Sequence, residues 1–215
     1  MDTDALIAKL SSQVEPIPQN AAAASLLRAL AIGAATAALI VVFWPSLGIR
    51  SDIVTAVLTD MFWVKLMYTA SIAVFGFAAL ERLSRPESAP VRWPPLLWPP
   101  LGLALIAIAV PATIASEPAN VAFWLGSSWW QCPLYVLCLS APVSAALMLA
   151  LSRLAPTRLA VAGAAAGLVA GAVAATVYAL HCVETSPGFV LIWYSLGVIA
   201  ASATGAFLGP RFLRW

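Results

Sequence analysis

Apolar runs of about twenty residues recur along the chain, and they constrain its fold more than any other feature of the sequence. A helix of twenty residues spans about 30 Å, the thickness of the hydrocarbon core of a bilayer. Because only a helix satisfies its own backbone polar groups within one such segment, we predict six transmembrane helices. They are Leu26–Trp44, Phe62–Leu80, Leu96–Ala115, Pro133–Leu151, Leu159–Leu180 and Phe189–Leu208.

The composition supports an all-α integral membrane protein. Hydrophobic residues make up 62% of the chain and charged residues 9%, whereas a soluble domain carries about 25% charged residues. We expect a six-helix transmembrane domain over residues 25–215, preceded by a tail over residues 1–24. The middles of the spans hold no Asp or Glu, and the chain has one histidine. This inventory argues against a proton-coupled pump and leaves little room for acid–base catalysis. We predict that the protein is not an enzyme.

Lysine and arginine predict the orientation of the bundle. With both termini in the cytoplasm, nine of the eleven basic residues fall on the inner side. Short loops on the cytoplasmic side of a membrane carry such an excess. Only Arg50 and Lys65 fall on the outer side, and we expect the long stem of Lys65 to carry its ammonium group up to the interface.

Glycine repeats in the last two spans predict close helix packing. Gly163, Gly167 and Gly171 recur every four residues in the fifth span, and Gly197 and Gly205 belong to a similar row in the sixth. Such rows allow two helix backbones to approach closely. The loop between the spans is short, so we predict a tight antiparallel hairpin. A homodimer formed through the same rows is the alternative.

Two cysteines, a histidine and a glutamate fall together at the predicted outer face. Cys132 begins the fourth span, and His181, Cys182 and Glu184 follow the fifth. The residues leave three interpretations open: a disulfide between Cys132 and Cys182, a redox- or metal-responsive thiol pair with soft ligands, and cysteines that pack as small apolar groups. Cys138 lies deeper in the fourth span on another face, and we assign it a structural role.

The N-terminal tail begins with a short amphipathic pattern. Asp4 lies in the first turn of a predicted helix, and Leu6, Ile7 and Leu10 form one apolar stripe. The tail is acidic, whereas a helix that lies on a membrane is usually basic. We therefore expect it to dock in a groove of a cytoplasmic partner; the alternative is a disordered leader.

Several motifs resemble those of the NrsF-like bacterial membrane proteins. The similarity covers essentially the whole chain, and its specific part runs from Cys132 to Gly197. The motifs are Trp130-Gln131-Cys132-Pro133-Leu134, Leu139-Ser140-x-Pro142, Leu154-Ala155-Pro156-Thr157, Tyr178-Ala179-Leu180-His181-Cys182-x-Glu184 and Phe189-x-x-x-Trp193-Tyr194-x-Leu196-Gly197.

This resemblance implies a six-helix anti-sigma factor of the bacterial inner membrane. Such a protein holds an extracytoplasmic-function (ECF) sigma factor and releases it under heavy-metal or oxidative stress. The family's two signalling cysteines correspond to Cys132 and Cys182. The resemblance implies no resident cofactor beyond transient heavy-metal binding, and no direct contact with nucleic acid. The alternatives are a quinone-linked thiol oxidoreductase, although no Cys-x-x-Cys is present, and a small metal transporter.

Overall fold

The computed structural model describes residues 3–12, 18, 20–85, 98, 102, 105 and 121–214. Every regular element among these residues is helical, and five helices are long and apolar enough to cross a membrane. These five are α2 (Ala21–Phe43), α4 (Asp60–Leu83), α6 (Gln131–Leu151), α7 (Leu159–Tyr178) and α8 (Pro187–Phe212). The shorter helices are α1 (Thr3–Ser12), α3 (Ile53–Ala56) and α5 (Val121–Leu125).

Five of the six predicted spans are therefore helices in the structure. Their ends differ from the predicted ends by at most five residues, as at α2, which begins at Ala21 instead of Leu26. The alanine-rich start of α2 has a high helix propensity, so the helix extends beyond its apolar stretch. The predicted third span, Leu96–Ala115, lies outside the described residues except at positions 98, 102 and 105, each of which is helical.

The helix α7 lies at the centre of the bundle and packs against α2, α4, α6 and α8. Its contact with α8 is the closest, because glycines face backbone there. A Cβ atom on Gly163 would overlap the carbonyl oxygen of Gly205, and one on Gly167 would overlap that of Ala201. The Ser202 hydroxyl also donates to the carbonyl oxygen of Ala164 across this contact (3.0 Å). The predicted tight hairpin is confirmed.

Gly197 departs from the predicted arrangement. A Cβ atom there would lie 2.8 Å from the Cβ of Val136 on α6, so this glycine lets α8 approach α6 and not α7. The rows of Gly163, Gly167, Gly171 and Gly205 are occupied by contacts within one chain. A homodimer would therefore have to use another surface.

The buried side chains form two clusters at opposite ends of the bundle. The first cluster, here called the terminal end, lies where α2 begins and α8 ends; its residues include Leu26, Leu80, Leu147, Leu151, Ala162 and Leu213. The second, here called the thiol end, includes Val41, Tyr68, Cys132, Val136, Tyr178, Cys182, Phe189 and Tyr194. The two predicted signalling cysteines thus share one buried cluster.

Candidate functional site at the thiol end

Cys132 and Cys182 are both buried. Cys132, in the first turn of α6, has no exposed surface, and Cys182, in the loop after α7, is 3% exposed. All three cysteines are free thiols in this structure. Cys138 is exposed on the outer surface of α6 and belongs to neither buried cluster, as its predicted position on another face requires. A reagent from water therefore reaches Cys132 or Cys182 only if the residues above them move.

Two cations converge on the backbone carbonyl oxygen of Cys182. Lys65 Nζ on α4 and Arg50 Nη1 each donate a hydrogen bond to it, both at 3.2 Å. Lys65 is only 2% exposed. The ammonium group is thus covered by the loop after α7, where the carbonyl of Cys182 is its acceptor; that it lies at the membrane interface stays a prediction. A buried charge is costly unless hydrogen-bond acceptors satisfy it, so the Cys182 carbonyl offsets part of the cost of burying Lys65.

The segment 44–59, here called the strap, joins α2 to α4 and lies against the loop that holds Cys182. The Arg50 amide donates to the carbonyl oxygen of Leu180 (3.1 Å), and His181 Nδ1 lies 2.9 Å from the carbonyl oxygen of Gly48. Since a carbonyl only accepts, His181 carries a proton on Nδ1. Gly48 has φ +108°, a conformation that favours glycine, so the turn that presents this carbonyl depends on that residue.

An ion pair fixes the side chain of Arg50 on the strap. Its Nε and Nη2 donate to the two carboxylate oxygens of Asp52 at 2.7 and 2.6 Å. This bidentate hydrogen bond raises the pKa of Arg50 and lowers that of Asp52. The paired guanidinium keeps Nη1 directed at the carbonyl of Cys182.

Glu184 holds a second segment, at and just after α5, over the thiol end. Its carboxylate accepts from the backbone N–H of Ser127 (2.7 Å) and from the Ser127 hydroxyl (2.5 Å), just after α5. Partial burial raises the pKa of Glu184, but these hydrogen bonds outweigh burial and hold the pKa below its ordinary value. Trp193 Nε1 also donates to the carbonyl oxygen of Trp124 on α5 (2.9 Å), so α5 is held at two points.

A π-helical turn at Val190–Tyr194 follows the first three residues of α8 and lies beside the thiols. Such turns often occur at functional sites, because they redirect side chains. Tyr194 at its end is fully buried, and its hydroxyl has no hydrogen-bond partner among the described residues. The next residue, Ser195, lies 2.7 Å from the Tyr68 hydroxyl and links α8 to α4. The thiols are therefore packed among α4, α6, α7 and α8.

The structure brings together only part of the predicted outer set. Cys132 and Cys182 share a cluster, but His181 faces Gly48 and Glu184 faces Ser127. No group of three or more His, Cys, Asp and Glu side chains within the described parts of the chain is arranged to hold a metal ion. A four-residue ligand set is thus not assembled here, and metal binding by the two thiols alone stays a prediction.

Sequence reasoning missed the residues that cover the thiols. Two cations donate to the Cys182 carbonyl, Arg50 from the strap and Lys65 from α4, and Tyr194 of α8 lies in the same buried cluster. None of the three was predicted as a site residue. One signal was present in the sequence: Arg50 and Lys65 are the two basic residues assigned to the outer side.

The predicted tail helix is present as α1, Thr3–Ser12. None of its residues is buried, and Leu6, Ile7 and Leu10 are all exposed along it. The apolar stripe of this helix is therefore not covered by the rest of the described chain. Whether this surface binds a partner stays a prediction.

Five long apolar helices packed around a common core define a membrane protein with several spans. The chain belongs to the NrsF family, described as negative regulators of sigma F, because the sequence model of that family matches residues 10–215. The family resemblance noted from the motifs is confirmed.

Two curated proteins resemble the chain along its full length. A probable anti-sigma-F factor NrsF of Azospira oryzae is 40% identical over 216 residues, which covers 100% of both chains. An anti-sigma-F factor NrsF of Caulobacter vibrioides is 38% identical over 214 residues, covering 99% of this chain and 97% of that protein. No solved structure matches the chain.

Proposed function

We propose that the protein is a membrane-bound anti-sigma factor that sequesters an ECF sigma factor and releases it on heavy-metal or oxidative stress. The observation that carries this proposal is the full-length similarity to two proteins named as anti-sigma-F factors. It acts by binding, without catalysis and without direct contact to nucleic acid. Cys132 and Cys182 are its sensing residues.

The proposed topology has six spans in the bacterial inner membrane, with both termini in the cytoplasm. Leu26 lies in the first long helix and Leu213 directly after the last one, and both belong to the cluster at the terminal end. This shared position supports the placement of both termini on one side of the membrane. Leu83 lies at that end and α5 at the thiol end. A single further crossing between them, by the predicted third span, satisfies this connection. The excess of basic residues at the terminal end supports the placement of that end on the cytoplasmic side.

The proposed sigma-binding element is α1. Its exposed Leu6, Ile7 and Leu10 form an apolar stripe suited to a groove, and Asp4 adds negative charge that a DNA-binding surface would attract. A sigma factor that holds this helix would be less available to promoter DNA.

The proposed signal is a new bond at the thiols. An oxidant takes two electrons while Cys132 and Cys182 lose two protons and form one disulfide; alternatively, a soft metal ion displaces the two protons and binds both sulfurs. Either product draws the start of α6 toward the loop after α7, whose carbonyl is held by Lys65 and Arg50. A tenfold weaker grip on the sigma factor requires only about 1.4 kcal/mol of differential binding.

The proposal is tested by co-purification of a tagged full chain from native membranes with its sigma factor, with and without Cd²⁺ or diamide. We expect a sigma factor to co-purify and to be released by either treatment. Replacing Cys132 or Cys182 by serine abolishes release, whereas Cys138→Ser, the matched control, leaves release intact. Unchanged release from the Cys132→Ser/Cys182→Ser double variant would show that the thiols are not the sensor.

The tail is tested separately by charge substitution in its apolar stripe. The double variant Leu6→Glu/Leu10→Glu should lower sigma recovery at least about tenfold, because burying two unpaired carboxylates is costly. Ala8→Glu/Ser12→Glu, at two exposed positions on the opposite face of the same helix, adds the same charge and should bind nearly normally. Equal recovery by the unsubstituted chain and by both variants would remove α1 from the interface while leaving the sensing hypothesis standing.

A further inference from the structure

A groove between α2 and α6 opens on the surface of the bundle at the terminal end. It encloses about 400 Å³ and combines two kinds of lining. Ser25, Arg28 and Arg153 supply polar groups near the helix ends, and Ile32 and Leu149 supply apolar side chains. In a bundle that spans a membrane, one end of this groove therefore meets the bilayer surface and the other meets hydrocarbon.

The two arginines of the groove have no anionic partner within the described part of the chain. Arg28 donates Nε to the carbonyl oxygen of Ala24 in its own helix (3.2 Å), and neither Arg28 nor Arg153 forms an ion pair there. Other basic residues at this end are differently engaged: Arg85 pairs with Glu81, and Arg211 lies over the ring of Phe207. The groove thus presents positive charge from α2 and from the turn after α6 to one space.

We propose that this groove binds one anionic phospholipid. The phosphate would lie between Arg28 and Arg153 with the Ser25 hydroxyl as a third donor, and an acyl chain would lie along Ile32 and Leu149. Basic pockets between membrane helices favour anionic headgroups. A zwitterionic lipid offers the same phosphate, but its ammonium or choline group brings positive charge toward two arginines. The net negative headgroup is therefore the better fit, and this inference does not depend on the proposed anti-sigma function.

The test is lipid retention by the purified full chain, measured by native mass spectrometry after exposure to equal amounts of phosphatidylglycerol and phosphatidylcholine. We expect about a thirtyfold preference for one phosphatidylglycerol, which corresponds to about 1 kcal/mol for each arginine. Arg28→Gln/Arg153→Gln should abolish the preference. Arg158→Gln/Arg214→Gln, which removes the same charge elsewhere at the terminal end, should preserve it.

A third variant tests the apolar part of the groove. Ala146→Phe fills the space beside Leu149 and keeps both arginines, so it should lower retention of phosphatidylglycerol at least about fivefold, because the acyl chain loses its contact area. An unfolding temperature close to that of the unsubstituted chain shows that each variant is folded. Equal retention of the two lipids, or loss of the preference in the Arg158→Gln/Arg214→Gln control, would overturn the proposal.

Discussion

The two ends of the bundle are built from different side chains. At the terminal end the buried cluster contains only Leu, Ala, Val and Met. At the thiol end it contains three tyrosines, Phe189 and two thiols, and the ammonium of Lys65 lies against it. The terminal end is held by apolar packing and by the close approach of α7 and α8, whereas the thiol end also depends on directed hydrogen bonds.

This difference separates a region that resists change from one that responds to it. A core of close-packed aliphatic side chains makes the protein less stable when the volume of one of them is changed, but such side chains do not react with a chemical signal. At the thiol end each link has a particular donor and acceptor, as between Arg50 and Cys182 or Glu184 and Ser127. A new bond at either sulfur would disturb several such links together. The four predictions below test this comparison, from the largest expected effect to the smallest.

Gly163→Val should be the most damaging single substitution, because its side chain would overlap the backbone of Gly205 and force α7 and α8 apart. We expect a loss of about 3 kcal/mol or more of stability, the upper range for overpacking, measured by thermal unfolding in detergent. Ala160→Val, at an exposed position on the same helix, is the control. Equal stability of the two variants would contradict the close packing of α7 on α8.

Lys65→Met and Arg50→Met should be strongly coupled. Either change alone leaves one donor on the Cys182 carbonyl, but both together leave that buried oxygen without a partner. A buried unsatisfied group costs about 1–3 kcal/mol, so the double variant should lose that much beyond the sum of the single effects in unfolding measurements. Additive losses would mean that the two cations do not share this acceptor.

Arg50→Gln should expose the thiols while the terminal end stays unchanged. Weakening the strap by about 1.4 kcal/mol raises the open fraction tenfold, so labelling of Cys182 by a water-soluble maleimide should be about ten times faster in a Cys138→Ala background. Arg153→Gln is the control at the other end. A labelling rate that stays the same in Arg50→Gln would show that the strap does not limit access.

Acidification should loosen α5 by protonating Glu184. Its pKa is lower in the folded protein, so the stabilising contribution is full above the ordinary glutamate pKa of about 4.3. It is lost as pH falls through the lower pKa of the folded state. Tryptophan fluorescence should therefore change in acid in the unsubstituted chain, and Glu184→Gln should remove that step. Glu81→Gln, at the terminal end, should retain the step; its loss there would point to another titrating group.

Much of the fold follows from the sequence because the bilayer constrains it so strongly. Apolar length predicted the five described spans, and the four-residue glycine repeat predicted that α7 and α8 pack closely. Motif similarity also identified the family. The prediction that Gly197 faces α7 was wrong. A small residue indicates that another helix can approach closely, but it does not indicate which helix.

The candidate site was predictable only in part. Cys132 begins the fourth predicted span and Cys182 follows the fifth, so the sequence predicted that both lie at one end, and they share a cluster there. The positions of Lys65 and Arg50 were not predictable, since a basic residue near a helix end either extends to the interface or turns inward to a buried acceptor. Only the folded chain shows that the Cys182 carbonyl provides that acceptor.

The sequence by itself thus determined the membrane class, the family and the clustering of the two thiols, because hydropathy, motif similarity and short connections are local properties of the chain. The tertiary structure decided that the thiols are buried, that Lys65 and Arg50 hold the loop above them, and that His181 and Glu184 face other partners. These features depend on contacts between residues more than fifty positions apart. Their energies come from one particular packing of α4, α6, α7 and α8, which no local pattern in the sequence encodes.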